Sequence, residues 1–180
     1  MLKKILGIVF GLVALLLIGG FVLPSQVHVE RSLLVLAPAE AVFAQIGDFS
    51  RWQAWSPWAE MDPNMVTNVT GQGLGQTLTW HSEDPMVGDG TQTITALEAP
   101  NVLKTHLDFG PQGMADATFR LMPQADGTLV SWELDTDMRQ GVPWVSQPLS
   151  TYFGFLMDQM IGADYEKGLQ NLAQLLQRPS

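Results

Sequence analysis

The stretch MADATFRLMPQADGTLVSWELDTDM, residues 114–138, decides the fold of this chain. Ala115, Ala117, Phe119 and Leu121 alternate with Asp116, Thr118 and Arg120, and Val130, Trp132 and Leu134 alternate with Ser131, Glu133 and Asp135. Side chains in a strand point to opposite faces in turn, so a sustained period of two marks a strand with one buried face. Asp126-Gly127 between the two runs is a strong hairpin signal, because a tight two-residue turn needs the positive φ that glycine accepts. The pair therefore reads as antiparallel strands over 114–123 and 128–138. Upstream, the same texture predicts strands at about 65–70, 74–82, 90–98 and 101–109. They are punctuated by Gly71-Gln72-Gly73, Asp84-Pro85 through Gly88, Ala99-Pro100-Asn101 and Gly110-Pro111-Gln112-Gly113. Leu78, Trp80, Leu103, Thr105, Leu107 and Phe109 join the inner face by alternation, and Met138 closes it. The result is a six-strand antiparallel meander.

Downstream, Leu149, Phe153, Leu156, Met160, Leu169, Leu172 and Leu176 recur at helical spacing, which predicts one long helix over about 147–177 with Gly162 as the place for a kink. Its first half, Tyr152 to Met157, is apolar nearly all round and is expected to be buried. Before the meander, Val27 to Leu36 reads as a strand. Pro38 suits a first helical turn, Glu40 places negative charge at that helix's amino end, and Val42, Phe43 and Ile46 supply its apolar stripe before Gly47-Asp48. Trp52, Trp55 and Trp58 follow at three-residue intervals, fitting a short helical turn under the end of the sheet.

The first two dozen residues stand apart. Ile5 to Leu23 are nineteen uncharged, mostly aliphatic residues, preceded by Lys3 and Lys4 and followed by Pro24. As a helix they rise about 28 Å, close to the roughly 30 Å hydrocarbon core of a bilayer. A cleaved signal and a retained anchor both begin this way. The run exceeds an ordinary signal core and ends Gly19-Gly20-Phe21-Val22-Leu23-Pro24-Ser25, with bulky residues where a signal peptidase needs small ones, so the anchor reading is favoured. Lys3 and Lys4 then stay cytoplasmic by the positive-inside rule. The expectation is a single-pass bacterial inner-membrane protein with an anchor over 1–24 and a periplasmic domain over 27–178. Two of the nine basic residues precede the run, which leaves seven against eighteen acidic ones, a formal charge of −11. Nucleic acid is excluded as a partner on that balance, since phosphate binding needs a basic face. The absence of cysteine excludes disulfides, thiolate nucleophiles and Cys-ligated metal.

Strand, short helix, Trp-rich turn, meander and long final helix together form an α+β helix-grip arrangement, a curved antiparallel sheet wrapped around the last helix, here preceded by a transmembrane helix. Glu30-Arg31-Ser32, Ala37-Pro38-Ala39-Glu40-Ala41-Val42-Phe43, Asp48, Trp52, Trp55-Ser56-Pro57-Trp58 and Asp62-Pro63 resemble the opening of the START-like superfamily, also called SRPBCC or polyketide cyclase/dehydrase and lipid transport. Gly73-x-Gly75 before Trp80, Gly88-x-Gly90 with Ile94, Ala117-x-Phe119, Asp126-Gly127-Thr128 and Trp132 continue the resemblance over about residues 27–177. It implies a cavity between sheet and long helix suited to a hydrophobic small molecule. The candidate lining is Trp80, Phe119, Trp132, Leu134, Tyr152, Phe155, Leu156 and Met160, each of which fits ordinary core packing equally well. The superfamily includes lipid carriers and aromatic cyclases, so fold alone leaves function open.

No catalytic constellation emerges. His81 and His106 alternate to the outer face, and no nucleophile elbow, phosphate loop, metal-ligand spacing or cofactor motif is present. Three readings remain. The first is an anchored extracytoplasmic module holding a hydrophobic small molecule or lipid. The second is a cyclase- or hydrolase-like enzyme using the same cavity, which calls for an ionisable group on the inner face. The third is a packed module docking an envelope protein, which calls for an exposed apolar patch around Trp52 to Trp58.

Overall fold

The computed structural model describes residues 2–177; Met1 and Arg178, the outer limits of the two expected segments, lie outside the described residues. The chain runs α1 (Leu2–Val22), β1 (Gln26–Val35), α2 (Ala39–Ile46), a 3-10 turn (Phe49–Ala54), α3 (Pro57–Met61), β2 (Val66–Thr70), β3 (Thr77–His81), β4 (Gly90–Glu98), β5 (Val102–Asp108), β6 (Met114–Gln124), β7 (Gly127–Asp137) and α4 (Gln147–Gln177). The seven strands form one antiparallel sheet in the order β1-β7-β6-β5-β4-β3-β2, so the meander is intact and β1 pairs with the last strand. This is the expected helix-grip architecture.

The alternation sets the faces as read. Leu103, Leu107, Ala115, Ala117, Phe119, Leu121, Val130, Trp132 and Leu134 are all buried, with Val29 and Val35 of β1, beneath Leu169 and Leu172 of α4. The hairpin of β6 and β7 turns at Ala125-Asp126, one residue earlier than the Asp126-Gly127 expected: Gln124 pairs with Gly127, which already belongs to β7. A register shift between Ile94 and Ala96 makes a bulge in β4, a device that bends a strand and tightens its twist. Strand β3 is shorter than expected, because Gly71, Gly73 and Gly75 all take positive φ and hold 71–76 as a turn.

Two features of the helices differ from expectation. Helix α4 runs unbroken through Gly162, where an interruption was the expectation. Its first half is not buried. Leu149, Phe153, Leu156 and Met160 point away from the sheet, while Thr151, Gly154, Gly162 and Tyr165 face it. The small residues there leave room for β1, which passes close beneath. Gly154 lies on Val27, and a β-carbon at Gly162 would overlap the Arg31 guanidinium. Arg31 crosses under α4 to reach Glu166 Oε1 at 2.8 Å and Asp158 Oδ1 at 3.0 Å, pinning strand to helix.

Strand pairing also fixes which turns share an end. Gln26 pairs with Asp137, Met114 with Asp108, Thr91 with Asp108, Trp80 with Gly90 and Val66 with His81. Turns 82–89 and 109–113 therefore sit at the strand end where β1 begins, the end at which α1 hands over to the sheet.

Candidate functional site

The site is framed by the 49–59 segment, which local chemistry folds over the inner face. Asp48 caps the 3-10 turn by accepting from the Ser50 backbone N–H at 3.0 Å, and it accepts from Gln76 Nε2 at 3.0 Å. These donors, Gln76 first, hold its carboxyl below the usual carboxylate range. The buried Gln76 side chain also accepts from the Phe49 backbone N–H at 2.9 Å, so one amide ties the turn to the sheet. Trp52 is oriented by donation from its Nε1 to the Ile46 carbonyl at 2.8 Å.

Behind this segment lies a stack of aromatic rings. Trp132 stacks on Tyr165 with centroids 3.8 Å apart and on Phe119 at 4.6 Å, and Trp52, Trp55 and Trp58 meet it edge-on within 6.3 Å. Such offset and edge-to-face pairs are the favoured arrangements of aromatic quadrupoles. The indole N–H groups of Trp55 and Trp132 lie inside this cluster without a hydrogen-bond partner among the described residues.

In front of the stack is a cavity of about 250 Å³. Phe49, Trp52 and Trp58 form one wall, Val69, Leu78, Trp80, Leu107 and Leu134 of the sheet a second, and Ile161 and Tyr165 of α4 a third. Met86, Val87 and Phe109 close it from turns 82–89 and 109–113. Trp80 holds the first of these turns: its Nε1 donates to the Val87 carbonyl at 3.4 Å, its ring lies over Gly90, and Phe109 meets it edge-on at 5.8 Å. Asp62 accepts from Ser82 Oγ at 2.6 Å, joining that turn to the loop before β2 and lowering its own carboxyl below the usual range. The polar lining is neutral: Ser50, Gln53, Ser56, Thr67, Gln92 and Gln112. Among the described residues no Asp, Glu, His, Lys or Arg lines the cavity. Its one titratable side chain is Tyr165, whose phenol is pushed above the ordinary range by burial and so stays protonated.

Of the residues singled out from the sequence, Trp80 and Leu134 stand in the cavity wall. Phe119 and Trp132 lie deeper, in the aromatic stack, and do not line the cavity. Tyr152 packs on α1, and Phe155, Leu156 and Met160 are exposed on the outside of α4. The physical reason is helix phase: at about 100° per residue, Tyr165 and Ile161 lie within about 20° of Leu172 around the helix, whereas Met160 and Leu156 lie about 120° and 160° away. That phase is the signal that would have found both α4 wall residues. Trp52 and Trp58 reach the wall from the Trp turn, and Trp55 is core. With two of these indoles buried and Trp58 half-buried, the turn presents no exposed apolar patch for docking.

The histidines lie on the outer face, as alternation requires. His28 with Asp135, His81 with Asp89 and His106 with Asp116 are each in contact at 2.7 Å. Pairing aligns His28, Asp135, Asp116 and His106 in one row across β1, β7, β6 and β5. No group of three such side chains among the described residues is arranged to hold a metal ion. The Asp135 hydrogen bond raises His28 above the ordinary imidazole value of 6.5, aided by the nearby Glu133 and Glu30 charges. A raised imidazole contributes stability that is fully present below the unfolded value and lost as pH rises through the folded one. The stability difference between wild type and His28→Gln is therefore expected to be largest below pH 6.5 and to shrink as the pH climbs beyond it. Urea titrations of both proteins across that range check this, and a difference independent of pH would contradict it.

Residues 26–177 match the sequence family described as polyketide cyclase / dehydrase and lipid transport. The fold is similar to truncated norcoclaurine synthase from Thalictrum flavum, with 11% identity, 86% of this chain and 96% of that one covered, and a TM-score of 0.62. It is also similar to a solution structure from Thermobifida fusca, with 18% identity, 83% and 92% coverage and a TM-score of 0.61. Protein CV1439 from Chromobacterium violaceum aligns over 87% of this chain and all of that one, with 17% identity and a TM-score of 0.54. At such identities the likeness is one of fold. No curated protein matches the chain.

Proposed function

Because the chain belongs to the polyketide cyclase/dehydrase and lipid-transport family, we propose that it is a membrane-anchored, extracytoplasmic binding module holding a neutral hydrophobic small molecule or lipid-derived chain. The cavity carries this reading: its wall is aromatic and aliphatic, with a few neutral hydrogen-bonding groups and no charge to be neutralised by a ligand. Its volume of about 250 Å³ suits one chain or a small ring system better than a two-chain lipid. A protonated Tyr165 phenol can donate a hydrogen bond to a carbonyl or hydroxyl of the ligand, and it is unsuited to taking a proton.

Helix α1 is long and apolar enough to cross a membrane, a test that a signal sequence near the amino terminus also passes. As a retained anchor it would place the cavity beside the bilayer, where apolar ligands concentrate. Lys3 and Lys4 favour a cytoplasmic amino terminus and hence a periplasmic domain in a bacterial inner membrane. The topology supports the pairing of tether and cavity, since α1 enters β1 at the strand end that carries turns 82–89 and 109–113.

The test is native mass spectrometry of the full chain released from mild detergent, with denaturing extraction to identify what it carried. A stoichiometric apolar molecule is expected. Leu78→Trp, which fills the cavity from β3, is expected to lower retention at least about tenfold, equivalent to about 1.4 kcal/mol, with an unchanged urea midpoint. A bare protein that also ignores a panel of fatty acids and aromatic compounds would overturn the reading.

A further inference from the structure

The exposed face of α4 carries an apolar stripe that the fold does not use. Leu149, Phe153, Leu156 and Met160 recur at i, i+4, i+7 and i+11, and are 75%, 47%, 50% and 38% exposed. At 100° per residue they share one side of the helix, opposite the side that Thr151, Gly154 and Tyr165 turn to the sheet. No charged residue lies between Arg139 and Asp158, and Trp144 and Val145 just before the helix are exposed too. A stripe this continuous on a surface marks an interaction site.

The neighbouring helix says what covers it. Helix α1 packs along the start of α4: Gly20 abuts Pro148, and the Tyr152 hydroxyl donates to the Leu16 carbonyl at 2.8 Å. Leu16 lies seven residues inside the apolar run from its end at Leu23, about 10 Å along the helix axis. Arg139 collars the junction, donating from Nη2 to the carbonyls of Gly20 at 2.8 Å and Leu23 at 2.6 Å, and from Nε to Thr151 Oγ1 at 3.1 Å. A guanidinium at that level, with apolar surface on one side and charged surface on the other, is placed as side chains at a membrane boundary are.

We infer that residues 142–157, the entry to α4 and its first half, are embedded in the leaflet on the domain's side, with Leu149, Phe153 and Leu156 against the lipid chains. The inference rests on the anchor reading above, since the depth is set by α1. The domain is then held to the bilayer by a two-part foot instead of hanging from a flexible stalk. Asp158 marks the limit of burial, as the first charge on the helix.

The chain has no cysteine, so single cysteines can be placed at will and labelled with an environment-sensitive fluorophore. Leu12 reports on α1, and Phe153 and Leu156 report on the stripe. Gln174 lies on the same side of α4 beyond Asp158, and Ala125 in the β6–β7 turn serves as a second control. Each full-length labelled protein is reconstituted in phosphatidylcholine vesicles with and without lipids carrying a nitroxide on the chain. Labels at 12, 153 and 156 are expected to lose most of their emission to the nitroxide lipid, and those at 174 and 125 to keep it. Loss at 12 with none at 153 and 156 would overturn the inference and leave the anchored module standing. Full emission at 12 would overturn both.

Discussion

Replacing Trp132 with alanine is expected to remove about 3–5 kcal/mol of stability, the range seen when a large aromatic is deleted from a packed interior. The indole is buried and has rings on every side: Tyr165 and Phe119 stacked on its faces, Trp52, Trp55 and Trp58 against its edges. Deletion removes both the transfer free energy of the ring and the contacts of five neighbours that cannot all collapse into the gap. Domains of this kind have about 5–15 kcal/mol in total, so the loss takes at least about a fifth of that margin. Urea unfolding followed by far-ultraviolet circular dichroism measures the change, with Leu34→Ala on the exposed face of β1 as a control expected within about 0.5 kcal/mol of wild type. A loss at Trp132 no larger than the control's would show that the stack does not hold sheet and helix together.

The elements that follow a single period are legible in the sequence. Residues 114–138 show why: two alternating runs about a glycine turn have one register that buries Phe119 and Trp132 and exposes Arg120 and Glu133, and a slip by one residue would reverse every face. The site was less legible. Hydrophobic periodicity reports which face of a helix leaves water, and it does not say whether the face meets protein or lipid. In α4 the strongest stripe, Leu149 to Met160, points out, while the sheet-facing side of the same half is built from Thr151, Gly154 and Gly162. Small residues are chosen there by the close approach of β1 and the crossing of Arg31, a three-dimensional constraint with no signature in the local pattern. Trp52 and Trp58 reach the cavity for a similar reason. Their placement depends on Gln76, which is distant in sequence and bonds both Asp48 and the Phe49 backbone.

That close approach carries the second large effect, at Gly168. In an exposed helix interior, alanine for glycine gains about 1 kcal/mol from backbone propensity. Here the added β-carbon would sit 2.8 Å from Cζ3 of Trp132 and 3.1 Å from Cδ of Pro57. Both are rings, and Trp132 is clamped between Tyr165 and Phe119, so neither can swing aside. Overpacking of such a site costs about 1–3 kcal/mol, which outweighs the propensity gain, and Gly168→Leu is expected to cost more than the alanine. Gly162 supplies the contrast on the same helix. Its β-carbon would meet the end of the Arg31 side chain, which can swing toward solvent and give up its bonds to Asp158 and Glu166. Gly162→Ala is therefore expected to lie near wild type in a urea titration and Gly168→Ala well below it. Adding Trp132→Phe to Gly168→Ala makes room at the same contact, so the double variant is expected to be more stable than the sum of the two single changes allows. Strict additivity would mean that the β-carbon and the indole do not collide, and would remove the reason for glycine at this point of the helix.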